Sequence, residues 1–226
     1  MLAAAAAHDA TCRLPPPLLS SPMAPSCAIP YRQEVVAQDP YIVVLHGPIL
    51  SLDIANLLNT YRPRIDVSAS RYSASMYLNW TTEPQIASIA ARVVPTIESF
   101  FPDALVRIES VALTRYATGQ SYGWHLDAYN MQTLESRALT FLVYLTDVPH
   151  GGGGETVFAH VASDGSRIAA DSTLARACEA SSRHTKVSPH AGRALLFRNV
   201  AGAVATHGSC VLHGPVKWIM QFWMSI

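Results

Sequence analysis

After residue 104 the chain breaks into short runs rich in β-branched and aromatic residues, at 105–117, 137–146, 155–161, 186–198 and 216–225. Turn formers separate them, most densely at 147–154 and 199–202. Strands this short bury an apolar face only by pairing, and regular turn signals fold the chain back on itself. The pattern therefore predicts a sandwich or barrel of antiparallel strands. Upstream the hydrophobic period is different. Ser51 stands as an N-cap ahead of Ile54, Leu57, Leu58 and Tyr61, an amphipathic helical stripe. Thr82, with Gln85 three residues on as a capping-box partner, opens a second stripe through Ile86, Ile89, Ala90, Val93, Val94 and Ile97. Pro95 should kink or end that helix. Two short apolar runs precede the helices, at 34–36 and 41–45, and ordered structure is expected to begin near Glu34. The expected architecture is α+β: a helical support over 31–104 packed on an all-β half over 105–226.

Residues 1–30 stand apart, with six prolines, eight alanines and only Asp9 and Arg13 charged. They lack any helical or strand period and are expected to form a disordered tail. The remaining length suits one domain, and a composition that is 50% hydrophobic is ample for a core. Lys plus Arg equals Asp plus Glu at 16 each, so no net field draws the chain to nucleic acid or to an anionic membrane. Cys12, Cys27, Cys178 and Cys210 form no CxxC pair. A Cys178–Cys210 disulfide and a pair of free thiols both fit the sequence. No run approaches the ~20 apolar residues of a membrane-spanning helix. The apolar stretch at 2–7 has no basic residue before it and stops at His8-Asp9, which reads poorly as a secretory signal. The default expectation is a cytoplasmic protein.

His125-Leu126-Asp127 carries the chemistry. On an extended segment, residues two apart point to the same side, so the imidazole and the carboxylate face one point. His207, on a distant run, would close a triangle on one face of a metal and leave the other open, the facial triad of non-haem Fe(II) oxygenases. Seven other histidines show that histidine alone selects nothing; the order and spacing do. Lys217, ten residues beyond His207, supplies a fixed cation for an acidic co-substrate. A zinc hydrolase built on the same three ligands would want a general base and leave the Lys217 spacing to coincidence.

Several landmarks in order resemble the catalytic domain of prolyl 4-hydroxylases within the Fe(II)/2-oxoglutarate-dependent dioxygenases. They are Arg71-Tyr72-Ser73; Arg115-Tyr116 through Gly119-Gln120 to His125-Leu126-Asp127; Arg137 to Tyr144-Leu145; Gly153-Gly154-Glu155-Thr156-Val157-Phe158; Gly192 to Phe197; and His207 to Lys217-Trp218. The resemblance runs from about residue 35 to the C-terminus. It implies a double-stranded β-helix, a distorted jelly roll, with helices buttressing one sheet. It makes His125, Asp127 and His207 the iron ligands, and Lys217, Tyr116 and Thr156 the residues around the distal carboxylate of 2-oxoglutarate. O2 would be the second co-substrate and ascorbate the reductant. Arg71, Glu109, Tyr122, Arg137 and Trp223 fall on the positions that line the family's peptide groove. A polyproline II chain leaves its carbonyls unbonded, so a groove for it needs donors such as Arg71 and Arg137 and aromatic faces such as Tyr122 and Trp223. The implied reaction is hydroxylation of peptidyl proline at C4 with release of succinate and CO2. Some features depart from the pattern. Ser225 replaces a frequent histidine, no proline follows Cys210, and only nine residues separate Asp127 from Arg137, which shortens the substrate loop. These departures leave the iron chemistry intact and favour, as an alternative, a hydroxylase of a small metabolite or free amino acid; a metal- or peptide-binding module of the same fold without turnover is a further alternative.

Overall fold

The computed structural model describes residues 31–65, 73–128, 137–169, 172–199 and 205–226. The Pro/Ala-rich segment 1–30 and Arg71 lie outside the described residues. In chain order the elements are β1 (Arg32–Gln38), β2 (Tyr41–His46), α1 (Ser51–Tyr61), β3 (Ala74–Leu78), α2 (Pro84–Glu98), β4 (Arg107–Tyr116), β5 (Tyr122–His125), β6 (Leu139–Tyr144), β7 (Thr156–Ala162), α3 (Leu174–Cys178), β8 (His184–Val187), β9 (Arg193–Arg198), β10 (His207–Ser209) and β11 (Lys217–Ser225). They build a large antiparallel sheet, ordered β1-β2-β9-β6-β11-β4-β3, and a small one, ordered β5-β10-β7-β8. The two sheets face each other as a jelly roll, and helices cover the outer side of the large one.

Strand alternation explains this layering. In β6, Leu139, Phe141 and Val143 join the core shared with α1 and α2, while Leu142 and Tyr144 join the core between the sheets. In β11, Trp218, Met220, Phe222 and Met224 face the helices and Ile219 faces the other sheet. Ile54, Leu57 and Tyr61 of α1, with Ile86, Ile89, Val93 and Ile97 of α2, cover the outer face. Each such large apolar side chain contributes roughly 1.5–3 kcal/mol by leaving water.

Three features differ from the expected elements. The segment 31–104 is not only a helical support, because it donates β1, β2 and β3 to the large sheet, with β2 pairing directly with β9. The starts of α1 and α2 carry no side-chain caps: Leu50 and Glu83 occupy the cap positions, and the Gln85 amide reaches Thr60 on α1 instead. Inter-helix contact therefore outweighs the local capping box. Pro95 lies inside α2, whose helix runs on to Glu98. Among the described residues, no helix is long and apolar enough to cross a membrane. The polar 162–185 segment carries α3, and Cys178 at its end forms a disulfide with Cys210. Between the two compatible states of these cysteines, the structure has the bonded one.

Candidate metal centre and active site

His125 ends β5, and His207 begins β10 directly opposite it in the antiparallel register. Opposed residues of an antiparallel pair share a face, and the two imidazole centroids are 4.3 Å apart. Asp127 follows in a bend just past the strand. Its Oδ1 lies 3.5 Å from His125 Nε2 and its Oδ2 3.7 Å from His207 Nε2. One ligand atom from each of the three residues lies within 4.8 Å of the other two, the only such metal-binding group of three among the described residues. Both histidines are turned the same way: Nδ1 of His125 sits 2.9 Å from the Gly123 carbonyl, and Nδ1 of His207 sits 3.0 Å from that of Ala205. A carbonyl only accepts, so each Nδ1 carries the proton and each Nε2 presents a lone pair.

The donor set fits a divalent cation. Nε2 of His207 is buried and has no hydrogen-bond partner among the described residues, an unusual state for a buried polar atom unless something binds there. Burial lowers the His207 imidazole to about 4, against the opposing pull of Asp127, and so keeps it neutral. Burial of Asp127 opposes its ionisation, but His207, His125 and the Thr140 hydroxyl overcome that and hold the carboxyl well below the usual range. A neutral imidazole beside an ionised carboxylate is the protonation state a metal requires.

The triad opens on a cavity of about 290 Å³. Alternation along β11 aims Lys217, Ile219, Gln221 and Trp223 into it, and alternation along β4 adds Ala112, Thr114 and Tyr116. Lys217 is 1% exposed. Its ammonium donates to the Gly154 carbonyl at 2.8 Å and to Ser209 Oγ at 2.5 Å, and it lies 4.1 Å from the centroid of the Tyr116 ring. Burial brings its pKa down to about 7, with Glu155 pulling the other way. Gly154 has φ +74°, and an added Cβ would sit 3.3 Å from Lys217 Cδ, so glycine lets that carbonyl reach the ammonium. Thr156 lines the same end, with its hydroxyl 2.7 Å from that of Tyr144.

At the other end the Arg137 guanidinium lies 4.4 Å from the Trp223 ring centroid, and Tyr77, 63% exposed, sits 6.2 Å from the same ring. Tyr122 lines the opposite wall, edge-on to His125 at 4.3 Å. Arg137 is the one non-glycine residue with positive φ, +53°, among those described. Such a backbone costs about 1–3 kcal/mol and persists only when its surroundings hold it. Here the Glu109 carboxylate accepts from the Arg137 N–H at 2.8 Å. Glu109 falls at a β-bulge, where the register steps from Trp223 opposite Ser110 to Met224 opposite Ile108. Glu109 and Ser225 are not among the residues lining the cavity.

Residues 111–225, 115 of 226, match the family described as the 2OG-Fe(II) oxygenase superfamily. The chain belongs to that superfamily. As a 2-oxoglutarate-dependent dioxygenase it uses Fe(II), 2-oxoglutarate and O2, and the His125, Asp127 and His207 cluster is a potential site for that iron. The oxygenase is 27% identical to prolyl 4-hydroxylase 1 of Arabidopsis thaliana over 217 residues, 85% of this chain and 71% of that one. It is 32% identical to the probable prolyl 4-hydroxylase 9 of the same plant over 125 residues, 51% of this chain and 40% of that one. Its fold is similar to the crystal structure of the viral collagen prolyl hydroxylase of Paramecium Bursaria Chlorella virus-1 in complex with 2OG. That superposition has a TM-score of 0.59 at 19% identity and covers 84% of this chain and 98% of that one.

Ser209, Gln221, Thr140 and Asn199 of this oxygenase carry no motif that marks them in the sequence. Ser209 is two residues from His207, and Gln221 keeps the inward phase of Lys217, so strand period alone could have placed both. Asn199 follows the last residue of β9, where the strand period no longer reaches.

Proposed function

We propose that the chain hydroxylates peptidyl proline at C4, consuming 2-oxoglutarate and O2 and releasing succinate and CO2. The observation that carries the reading is the buried Lys217 ammonium, which among the described residues has only neutral acceptors within hydrogen-bonding reach, at the end of the cavity opposite a mouth built from aromatic rings and a guanidinium. An unpaired buried charge is costly, and a dicarboxylate is its natural counter-ion. Lys217 holds the distal carboxylate of 2-oxoglutarate, each charge-assisted bond being worth ~1.5–3 kcal/mol. Ser209, Thr156 and Tyr116 surround that carboxylate. The proximal carboxylate and keto oxygens then lie toward the triad. Iron, once bound, supplies the redox chemistry by which 2-oxoglutarate becomes succinate and CO2 and a substrate C–H becomes C–OH. Leu142 and Ile219 keep the cavity wall apolar and water-poor.

Likeness to prolyl 4-hydroxylases supports a proline-bearing peptide as substrate. Tyr122, Trp223 and Tyr77 offer faces to pyrrolidine rings, and Arg137 offers donors to backbone carbonyls. Glu109 acts by holding the Arg137 backbone. The test supplies the iron-loaded protein with 2-oxoglutarate and proline-rich peptides, then reads succinate release and the peptide mass. Stimulated succinate release with one oxygen gained on proline is expected, and none in His207→Ala. Stimulation by a free amino acid, with peptides left unmodified, would overturn the substrate assignment.

A further inference from the structure

We infer that Thr140 and Asn199 are positioning residues for the metal-binding carboxylate, and that Asn199 ties this carboxylate to Arg137 at the mouth of the cavity. The inference rests on the iron assignment of the triad and not on the identity of the substrate.

Thr140 lies on β6, is 0% exposed, and donates from Oγ1 to Asp127 Oδ2 at 2.7 Å. Asn199, 5% exposed, directs Nδ2 at both the Arg137 carbonyl, 2.7 Å, and Thr140 Oγ1, 2.9 Å. Chemistry fixes the polarity of this chain. The Arg137 carbonyl only accepts, so the amide nitrogen and not its oxygen must face it. The amide has two hydrogens and two acceptors to give them to. Thr140 Oγ1 therefore accepts from Asn199, and its single proton is left for Asp127. That bond engages Oδ2, stops rotation of the carboxylate, and leaves Oδ1 for the metal. A hydroxyl turned by a donor behind it is a better-defined donor than one free to rotate.

The same amide also holds the substrate side. Asn199 N–H donates to the Ala138 carbonyl at 2.8 Å, so residue 199 braces the consecutive carbonyls of Arg137 and Ala138. With Glu109 on the Arg137 N–H, the guanidinium over Trp223 and the carboxylate at the metal share one rigid connection. Displacing Arg137 on substrate docking thus moves the donor that orients Asp127.

The experiment compares Thr140→Val, which keeps shape and removes the hydroxyl, with Thr140→Ser, which restores it, and Asn199→Asp, which offers Thr140 a competing acceptor. Co(II) affinity and the visible ligand-field spectrum are measured on metal-stripped protein without co-substrate, with circular dichroism to check folding. Outer hydrogen-bond partners of this kind typically change metal affinity ~10–100-fold. Thr140→Val and Asn199→Asp should weaken Co(II) binding to that extent and alter the spectrum, and Thr140→Ser should return both to near the unmodified protein. In turnover, KM for 2-oxoglutarate should stay within about twofold while kcat falls, because Lys217 is untouched. Unmodified affinity and spectrum in folded Thr140→Val, or a Thr140→Ser as damaged as Thr140→Val, would overturn the inference. If Thr140→Val does not fold, Asn199→Asp decides by the same measure, with unchanged Co(II) binding overturning it. Absence of Co(II) binding in the unmodified protein would instead overturn the iron assignment.

Discussion

Lys217 is almost wholly buried, and the groups its ammonium bonds, the Gly154 carbonyl and the Ser209 hydroxyl, are neutral. Its pKa is about 7 in the folded, ligand-free protein against 10.5 as the reference value. Between those values the unfolded chain holds the extra proton, so this group adds stability as pH rises across that window. Lys217→Met removes the slope. Thermal melts should find the variant at least as stable as the unmodified protein near neutral pH, with the difference narrowing toward pH 10, because a buried charge replaced by an apolar side chain loses no net stabilisation. The same variant should lose 2-oxoglutarate binding by calorimetry. In the unmodified protein that affinity should fall as pH rises above about 7, where the ammonium loses its proton. Lys217 and the three metal ligands were legible because the His-x-Asp pair, His207 and, ten residues on, Lys217 stand in the same order as the landmarks that resemble prolyl 4-hydroxylases. Thr140 and Asn199 were not legible, since their roles depend on a hydrogen bond between β6 and a residue just past β9, 59 positions away.

At the scale of elements, the disulfide links α3 to the residue that follows β10, three positions beyond His207. Leu174 of α3 and Trp124 of β5 pack in the same small cluster behind that strand. An added Cβ on Gly208 would lie 2.9 Å from Leu174 Cδ1 and 3.0 Å from the Tyr122 carbonyl, so β10 is clasped closely on that side. Cys178→Ser should cost roughly 2–4 kcal/mol in denaturant melts, the usual value for opening a loop of this size. It should also weaken Co(II) binding, since the strand carrying His207 loses its backing. Equal metal affinity in the variant would separate the clasp from the site. The sequence marked β4, β6, β7 and β11 to within a few residues, because buried alternation and turn residues both spoke for them. It merged β8 and β9 into one run, where Pro189 to Gly192 turn the chain between two different sheets. It also under-read β1 and β2, whose sheet membership rests on pairing with β9 some 150 positions later.

For the molecule as a whole, metal and co-substrate sites are properties of the folded state only, so their occupancy should register as stability. Saturating Mn(II) with 2-oxoglutarate should raise the melting temperature, with about 2.7 kcal/mol expected at a hundredfold excess over the dissociation constant. A chelator should abolish the gain, and 2-oxoglutarate without metal should give only part of it through Lys217. A full shift without metal would separate the dicarboxylate seat from the triad.

The register that sets His207 opposite His125 joins positions 82 apart in the chain. Any N-terminal fragment that stops short of residue 207 therefore has only two of the three ligands. During synthesis the growing polypeptide cannot assemble a redox-active centre before its last strands emerge and pair, and iron capture becomes a late signal that the jelly roll has closed.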